Sequence, residues 1–109
     1  MVTMANNHGA DFGPVGLADT LAAIRRSPVP VVGVGRDRQA ALAPYRLSIR
    51  GTDLAFFGAD ASFREGMSPV WAAGPTNPGI AAAHAARRGK DSEDRGVAGF
   101  IGLADMPRV

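Results

Sequence analysis

The feature that most limits the fold of this chain is an apolar run at residues 28–35, Pro-Val-Pro-Val-Val-Gly-Val-Gly. Its β-branched valines do not alternate with polar residues, which indicates a strand that is buried on both faces. Such strands belong to parallel sheets that are covered by helices. Residues 2–5 have the pattern of the end of a second buried strand, and an amphipathic segment separates the two. We therefore predict a β-α-β unit with a right-handed crossover and an α/β fold.

The segment between the two strands has the pattern of a helix with one buried face. Leu17, Leu21 and Ile24 recur at spacings of four and three residues, so they share one side of a helix. Pro14 precedes them and suits the first turn, where its missing N–H group needs no partner. These observations predict a helix over residues 15–26.

Shorter patterns predict the secondary structure in the middle of the chain. Asp37 can cap a short helix over residues 39–43. Residues 45–50 alternate apolar and polar side chains, a turn follows, and residues 54–58 are apolar. This pattern predicts a β-hairpin whose second strand lies inside the sheet.

The last third of the chain combines an alanine-rich segment with a charged one. Asn77 followed by Pro78 is typical of a helix start, and it predicts a C-terminal helix over residues 79–88. Residues 87–95 are densely charged. We expect them to be solvated or disordered.

The composition excludes several classes of protein. The chain has 109 residues, room for one domain, and it contains no cysteine, so a metal ion would need nitrogen and oxygen ligands. The net charge of +2 comes from scattered basic residues, too few in one place for nucleic-acid binding. No apolar run has the length of a membrane span and no export signal is recognisable. We predict no nucleic-acid partner and no membrane segment in this chain.

Polar side chains follow the strand end at residues 2–5, in the order Asn6, Asn7, His8 and Asp11. In open α/β sheets, ligands bind at the carboxyl ends of strands. The amide oxygen of Asn7 can ligate a divalent cation, and His8 can ligate one or donate a proton to a leaving oxygen. In the alternative interpretation, Asn6 and Asn7 only order their own loop and His8 binds a backbone carbonyl. Spacing alone leaves both open.

Three further features favour a structural role over a functional one. Gly33 and Gly35 resemble the start of a dinucleotide-binding motif, but Arg38 occupies the place of its third glycine, so a tight turn is expected. Asp60 follows an apolar strand and could face the site, although a cap or turn is the simpler interpretation. Trp71 is expected to pack against the core.

The loop and several later residues resemble a known family. The segment Met4-Ala5-Asn6-Asn7-His8, followed by Asp11-Phe12-Gly13, is similar to the bacterial capsule-synthesis protein CapA family, the poly-gamma-glutamate biosynthesis group. The similarity covers about residues 1–86, and it includes Gly16, Leu17, Thr20, Leu21, Gly33-Val34-Gly35-Arg36-Asp37, Ala40, Gly51, Phe56, Phe57, Trp71 and Pro78-Gly79-Ile80.

That resemblance implies a fragment of a calcineurin-like metallophosphatase sandwich, in which a β-α-β unit is followed by a β-hairpin and a C-terminal helix. Members of that superfamily are hydrolases that bind two divalent metal ions, Mn, Fe or Zn, at strand ends. By position, Asn7 is implied as a metal ligand and His8 as the catalytic acid or phosphate-positioning residue. Asn6 and Asp11 are implied to order the loop or to hydrogen-bond to the metal ligands. The implied substrate is an anionic polymer or a phosphoester.

The sequence also departs from the family pattern. It lacks the Gly-Asp segment that usually precedes the Asn-His motif and the histidine-containing segment that usually follows, and His84 matches no metal motif. We therefore expect a partial CapA-like domain at residues 1–86 and a charged tail at 87–109 that is disordered or outside the natural reading frame. The chain is expected to be a fragment that is inactive by itself.

Three functions fit these residues. The first is a CapA-like protein associated with a capsule or another cell-surface polymer and with assemblies of the cell envelope. The full-length relatives of such a protein are expected outside the cytoplasm or anchored to the membrane. The second is a divalent-metal-dependent phosphoesterase that is completed by missing segments or a partner. The third is a non-catalytic binding module. The sequence leaves open whether the chain is an enzyme.

Overall fold

The computed structural model describes residues 1–62, 69–83, 85–86 and 100–101. Strand β1 (Val2–Thr3) is followed by helix α1 (Gly13–Arg26) and strand β2 (Val31–Val32). The two strands run parallel, with Val2 opposite Val31. The predicted β-α-β unit and the mixed α/β class are therefore confirmed.

Helix α1 has the buried face that its sequence predicts. Pro14 lies in its first turn. Leu17 is buried, and Leu21 and Ile24 pack against the same core cluster. Because the apolar stripe faces the strands, α1 covers one side of the β-α-β unit.

The predicted strand at residues 28–35 is divided by Gly33 into β2 and a second short strand, β3 (Val34–Gly35). Gly33 has a φ of 84°, and a Cβ atom there would lie 2.6 Å from the Cβ of Ala5. Only glycine combines this backbone conformation with so close an approach. The division turns β3 away from β1 and towards a later part of the chain.

The predicted burial differs between the two parallel strands. Val32 and Val34 are buried, as the apolar run predicts. The expectation of a buried β1 is wrong, because Val2 is 51% exposed. Within the described residues, β2 is the only strand that pairs with β1, so little covers its outer side.

The predicted helix over residues 79–88 is wrong. The structure has strand β6 (Gly79–Ile80) in its place, antiparallel to β3. Ile80 is fully buried, and the next backbone N–H groups donate to distant carbonyls, that of Ala81 to Gly33 and that of Ala83 to Asp60. Tertiary pairing has overridden the helix preference of an alanine-rich segment.

Two more short strands lie towards the C-terminus. Strand β7 (Ala85–Ala86) pairs antiparallel with β8 (Phe100–Ile101). β7 falls inside the segment that the sequence assigned to the C-terminal helix, which is a second reason why that helix is wrong. The prediction of a solvated or disordered segment at residues 87–95 lies outside the described residues.

The capped helix in the middle of the chain is confirmed as α2 (Arg38–Ala41). The side-chain oxygen of Asp37 accepts a hydrogen bond from the backbone N–H of Ala40 at 2.8 Å. This bond satisfies one of the donors that a helix leaves unpaired at its start.

The β-hairpin is also confirmed, and it consists of β4 (Tyr45–Ile49) and β5 (Thr52–Phe56). Arg50 and Gly51 form its turn with φ values of 51° and 79°, the arrangement of a tight hairpin turn. The expectation that its second strand lies inside the sheet is wrong. In the part of the chain that the structure describes, β5 pairs with β4 alone.

The core sits between α1 and strands β3 and β6. Its main cluster joins four buried residues from separate parts of the chain: Ala10, Leu17, Val34 and Ile80. Ala10 belongs to the polar loop after β1, so the core holds that loop in place. Among the described residues, no helix combines the length and the apolar character needed to cross a membrane.

Candidate functional site

The polar loop begins where the pairing of β1 with β2 ends. The backbone N–H of Met4 donates to the carbonyl of Val32 at 2.9 Å, and the N–H of Asn6 then donates back to Met4 at 2.9 Å. Gly9 lies against the core, because a Cβ atom there would be 2.6 Å from the Cδ1 of Ile80. The loop lies at the carboxyl end of a parallel strand, where pairing with β2 holds its start and contact with Ile80 holds its middle.

Asn6 uses both of its side-chain groups within this loop. Its Oδ1 accepts a hydrogen bond from the backbone N–H of His8 at 2.9 Å, and its Nδ2 donates to the carbonyl of Met4 at 3.4 Å. The first contact closes a local turn of the kind that asparagine side chains form with backbone two residues on. As a result, Asn6 fixes the backbone from which the side chain of His8 projects.

His8 and Asp11 form the closest side-chain contact of the loop. The Nδ1 of His8 lies 2.8 Å from the Oδ2 of Asp11. An ionised carboxylate can only accept hydrogen bonds, so Nδ1 carries the hydrogen of this contact. The neutral ring then has its lone pair on Nε2. The side chain of His8 is 73% exposed, which makes this nitrogen accessible to a ligand.

Asn7 lies on the other side of the imidazole. Its Nδ2 is 3.4 Å from the Nε2 of His8, and with the tautomer above the amide donates to the ring nitrogen. The Oδ1 of Asn7 makes no side-chain hydrogen bond within the described residues. The Asn7 amide therefore engages the lone pair of Nε2, and a ligand that bound this nitrogen would replace the amide.

The described residues do not make a metal site by themselves. They contain no group of three His, Cys, Asp or Glu side chains that could bind an ion together. Nδ1 of His8 and Oδ2 of Asp11 bind each other, and Nε2 of His8 is in contact with the Asn7 amide, so a metal ion at Nε2 would have to replace that contact. A metal site needs at least about four ligands, so the donor set in hand is incomplete.

The other sequence candidates lie in structural positions. Both carboxylate oxygens of buried Asp60 accept hydrogen bonds from Ser62, one from its backbone N–H at 2.8 Å and one from its hydroxyl at 2.9 Å. This matches the turn interpretation. Gly33 forms a bend between β2 and β3 with a positive φ, a structural role but not the tight turn that was expected, and Trp71 packs against the core. His84 lies outside the described residues.

One exposed residue beside the loop belongs to the family motif, but the sequence-based predictions assign it no role. Phe12 directly follows Asp11, and its side chain is 91% exposed. Apolar periodicity gave no indication of it, since an aromatic residue before a helix is more often packed than exposed. A signal was present four residues later, because Gly16 leaves the space that Phe12 occupies over the first turn of α1.

Sequence comparison agrees with the loop motif. The profile of the family described as bacterial capsule synthesis protein PGA_cap matches residues 1–98. Two proteins of Mycobacterium tuberculosis, strains CDC 1551 / Oshkosh and ATCC 25618 / H37Rv, are each 35% identical over 77 residues. Both are named "Probable polyglutamine synthesis accessory protein".

The match covers 71% of this chain but only 20% of each of those relatives. The chain therefore spans about one fifth of the length of the curated relatives it matches. The region matched by the family profile includes the Asn-His loop. The predicted resemblance is confirmed, and the chain belongs to the bacterial capsule synthesis protein PGA_cap family.

Proposed function

We propose that this chain takes part in the synthesis of a bacterial capsule or related cell-surface polymer built from glutamate or glutamine residues. Membership of the capsule synthesis family supports this role, as do the names of the two relatives as polyglutamine synthesis accessory proteins. The cell envelope is the proposed place of action. The observation that carries the proposal within the molecule is the contact between His8 and Asp11.

The proposed task of this loop is to bind the polymer or its precursor and to move a proton. Asp11 binds Nδ1 of His8 at 2.8 Å and orients the ring. When a reacting group replaces the Asn7 amide at Nε2, this nitrogen accepts a proton from that group or, once protonated, donates one. The amide of Asn7 beside it suits recognition of a carbonyl or carboxylate. In this proposal Asp11 positions the ring of His8, and Asn6 positions the backbone of His8 by accepting its N–H.

The test is deletion of the gene in its source bacterium, followed by complementation. We expect loss of most glutamate that acid hydrolysis releases from purified surface polymer, restoration by the wild-type gene, and no restoration by His8→Ala. Val70→Ala is the matched control, because Val70 is 77% exposed and lies outside the loop. An unchanged polymer content after deletion would contradict the proposed role, and full restoration by His8→Ala would contradict the assigned site.

A second proposal is a divalent-metal phosphoesterase, as the calcineurin-like resemblance implies. An exposed imidazole that a carboxylate orients, at the end of a parallel strand, favours it. Asn7 and His8 would bind the Mn, Fe or Zn ion, with the remaining ligands supplied by another segment or a partner chain. The described donors alone are too few.

Metal analysis separates this enzyme from an accessory or binding role. The purified chain is dialysed against Mn, Fe or Zn salts, and metal content is measured beside hydrolysis of bis(p-nitrophenyl) phosphate. Stoichiometric metal and turnover that are both lost in His8→Ala support the phosphoesterase. A chain that binds neither metal nor phosphoester but retains polymer binding is instead a non-catalytic binding module.

A further inference from the structure

The polar loop leaves β1 through three hydrogen bonds that each join residues two positions apart. The first runs from the N–H of Ala5 to Oγ1 of Thr3 at 3.1 Å. The second runs from the N–H of Asn6 to the carbonyl of Met4 at 2.9 Å, and the third from the N–H of His8 to Oδ1 of Asn6 at 2.9 Å. We propose that Thr3 is a positioning residue of the candidate site, because its hydroxyl fixes the start of the loop that carries His8. This inference rests on the proposed function and adds to it a residue of β1.

The hydroxyl of Thr3 binds a backbone N–H group just beyond the pairing of β1 with β2. Ala5 is half-buried, and among the described residues no backbone carbonyl accepts its N–H. A backbone donor that is partly withdrawn from water needs a partner, and threonine hydroxyls bind local backbone groups in this way. The Thr3 hydroxyl therefore determines how the N–H of Ala5 is oriented.

The peptide unit between Met4 and Ala5 transmits this contact towards His8. Its N–H is the one that Thr3 binds, and its carbonyl accepts hydrogen bonds from both the backbone N–H and Nδ2 of Asn6, at 2.9 and 3.4 Å. Because a peptide unit is planar, the direction of its N–H fixes the direction of its carbonyl. Asn6 in turn accepts the N–H of His8. Thr3 thus acts on the backbone of His8 through one rigid peptide unit and one asparagine.

Two glycines from other parts of the chain leave the space that the Thr3 hydroxyl occupies. Gly33 lies between β2 and β3, and a Cβ atom there would be 3.0 Å from Oγ1 of Thr3 and 2.8 Å from the backbone N of Ala5. Gly58 follows the hairpin, and a Cβ atom there would overlap the same hydroxyl. A side chain at either position would disturb the contact, so the tertiary structure accommodates it from two sides.

The test combines NMR of the full chain with complementation of the deletion strain. Thr3→Ala and the nearly isosteric Thr3→Val both remove the hydroxyl. In each, hydrogen exchange at the His8 amide should accelerate about fivefold, the effect of one lost hydrogen bond. Nitrogen-15 NMR should show a smaller share of His8 rings with the proton on Nδ1, and polymer content should fall below that of the wild type. Thr3→Ser keeps the hydroxyl and should preserve all three. Thr52→Val makes the same change at an exposed position of β5 and should leave His8 unchanged.

Gly58→Ala tests the same contact from its other side. The added methyl group would displace the Thr3 hydroxyl, so this variant should accelerate exchange at His8 as Thr3→Ala does. In the double variant the hydroxyl is already absent, and we expect exchange within about twofold of Thr3→Ala alone, because substitutions that break one shared contact are not additive. Effects that multiply in the double variant would contradict a common action through Thr3.

The outcomes separate this inference from the proposed function. If Thr3→Ala leaves the exchange and the tautomer of His8 unchanged, the inference is wrong and the proposed function stands on His8 alone. Equal acceleration at the hairpin amides would show a general loss of stability and would also overturn it, as would full complementation by a Thr3→Ala chain whose tautomer has changed. If deletion of the gene leaves the polymer unchanged, the proposed function is wrong, whereas the NMR result still decides whether Thr3 positions His8.

Discussion

The loop after β1 is irregular and the hairpin β4–β5 is regular, and different interactions hold them in place. The hairpin is a local unit in which each residue from Tyr45 to Ile49 faces its partner across five pairs in register. The loop depends on distant parts of the chain, because Gly9 packs on Ile80 and Met4 bonds to Val32. The hairpin contributes no residue to the two core clusters that the described residues form.

This difference means that the candidate site lies in the crowded region and that the hairpin lies in the open one. The hairpin turn is open, since a Cβ atom at Gly51 would meet no atom of the described residues within 4 Å. The backbone around the loop is crowded, and Gly33 and Gly58 both approach the side chain of Thr3 closely. The exposed side chains of His8 and Asp11 thus lie on a loop that long-range packing holds in place, which is what a preorganised site requires.

The largest expected effect on stability comes from comparing alanine substitutions at two glycines of positive φ. Gly33→Ala combines the strain of a left-handed backbone with a clash against Ala5, so it should lower the free energy of unfolding by about 4 kcal/mol. Gly51→Ala meets only the backbone strain and should cost about 1 to 2 kcal/mol. Urea unfolding followed by circular dichroism measures both. Equal losses would show that crowding around the loop contributes nothing.

The next effect compares two isoleucines. Ile80 is fully buried beneath the loop, and Ile80→Ala should cost about 3 kcal/mol through lost burial and a residual cavity. Ile49 is 48% exposed on the hairpin, so Ile49→Ala should cost about 1 kcal/mol or less. Urea unfolding measures both losses. Hydrogen exchange, measured separately by NMR on the same two variants, should accelerate at the amides of His8 and Gly9 in Ile80→Ala alone. Acceleration in both variants would contradict the separate support of the two regions.

The sequence predicted those elements whose pattern is local. Alternation located the hairpin, apolar spacing located α1, and Asp37 marked the start of α2, since each of these signals lies within the element it specifies. The same reasoning placed the polar loop at a strand end. Its failures concern pairing between distant segments.

The alanine-rich segment shows why those failures occur. Its composition favours a helix, but Ile80 fills the core and Ala81 donates to Gly33, so the segment is extended. Which strand pairs with it depends on residues far away in sequence, and local propensity contains no information on them. The hydrogen bond between His8 and Asp11 was likewise invisible, because it depends on the exact path of the loop and not on its composition.

The smallest effect on stability is the most informative about the loop. Asp11→Ala removes an exposed contact and should change the free energy of unfolding by less than about 1 kcal/mol. It should nevertheless change the tautomer of the neutral His8 ring, because the hydrogen bond at one ring nitrogen decides which nitrogen carries the proton. Nitrogen-15 NMR of the ring should show the proton on Nδ1 in the wild type and a mixture or the opposite tautomer in Asp11→Ala. Asp53→Ala removes the partner of Ser48 in the hairpin and should leave the His8 spectrum unchanged. If Asp11→Ala left the tautomer unchanged as well, Asp11 would not orient His8, and the proton-transfer role proposed for the pair would lose its physical basis.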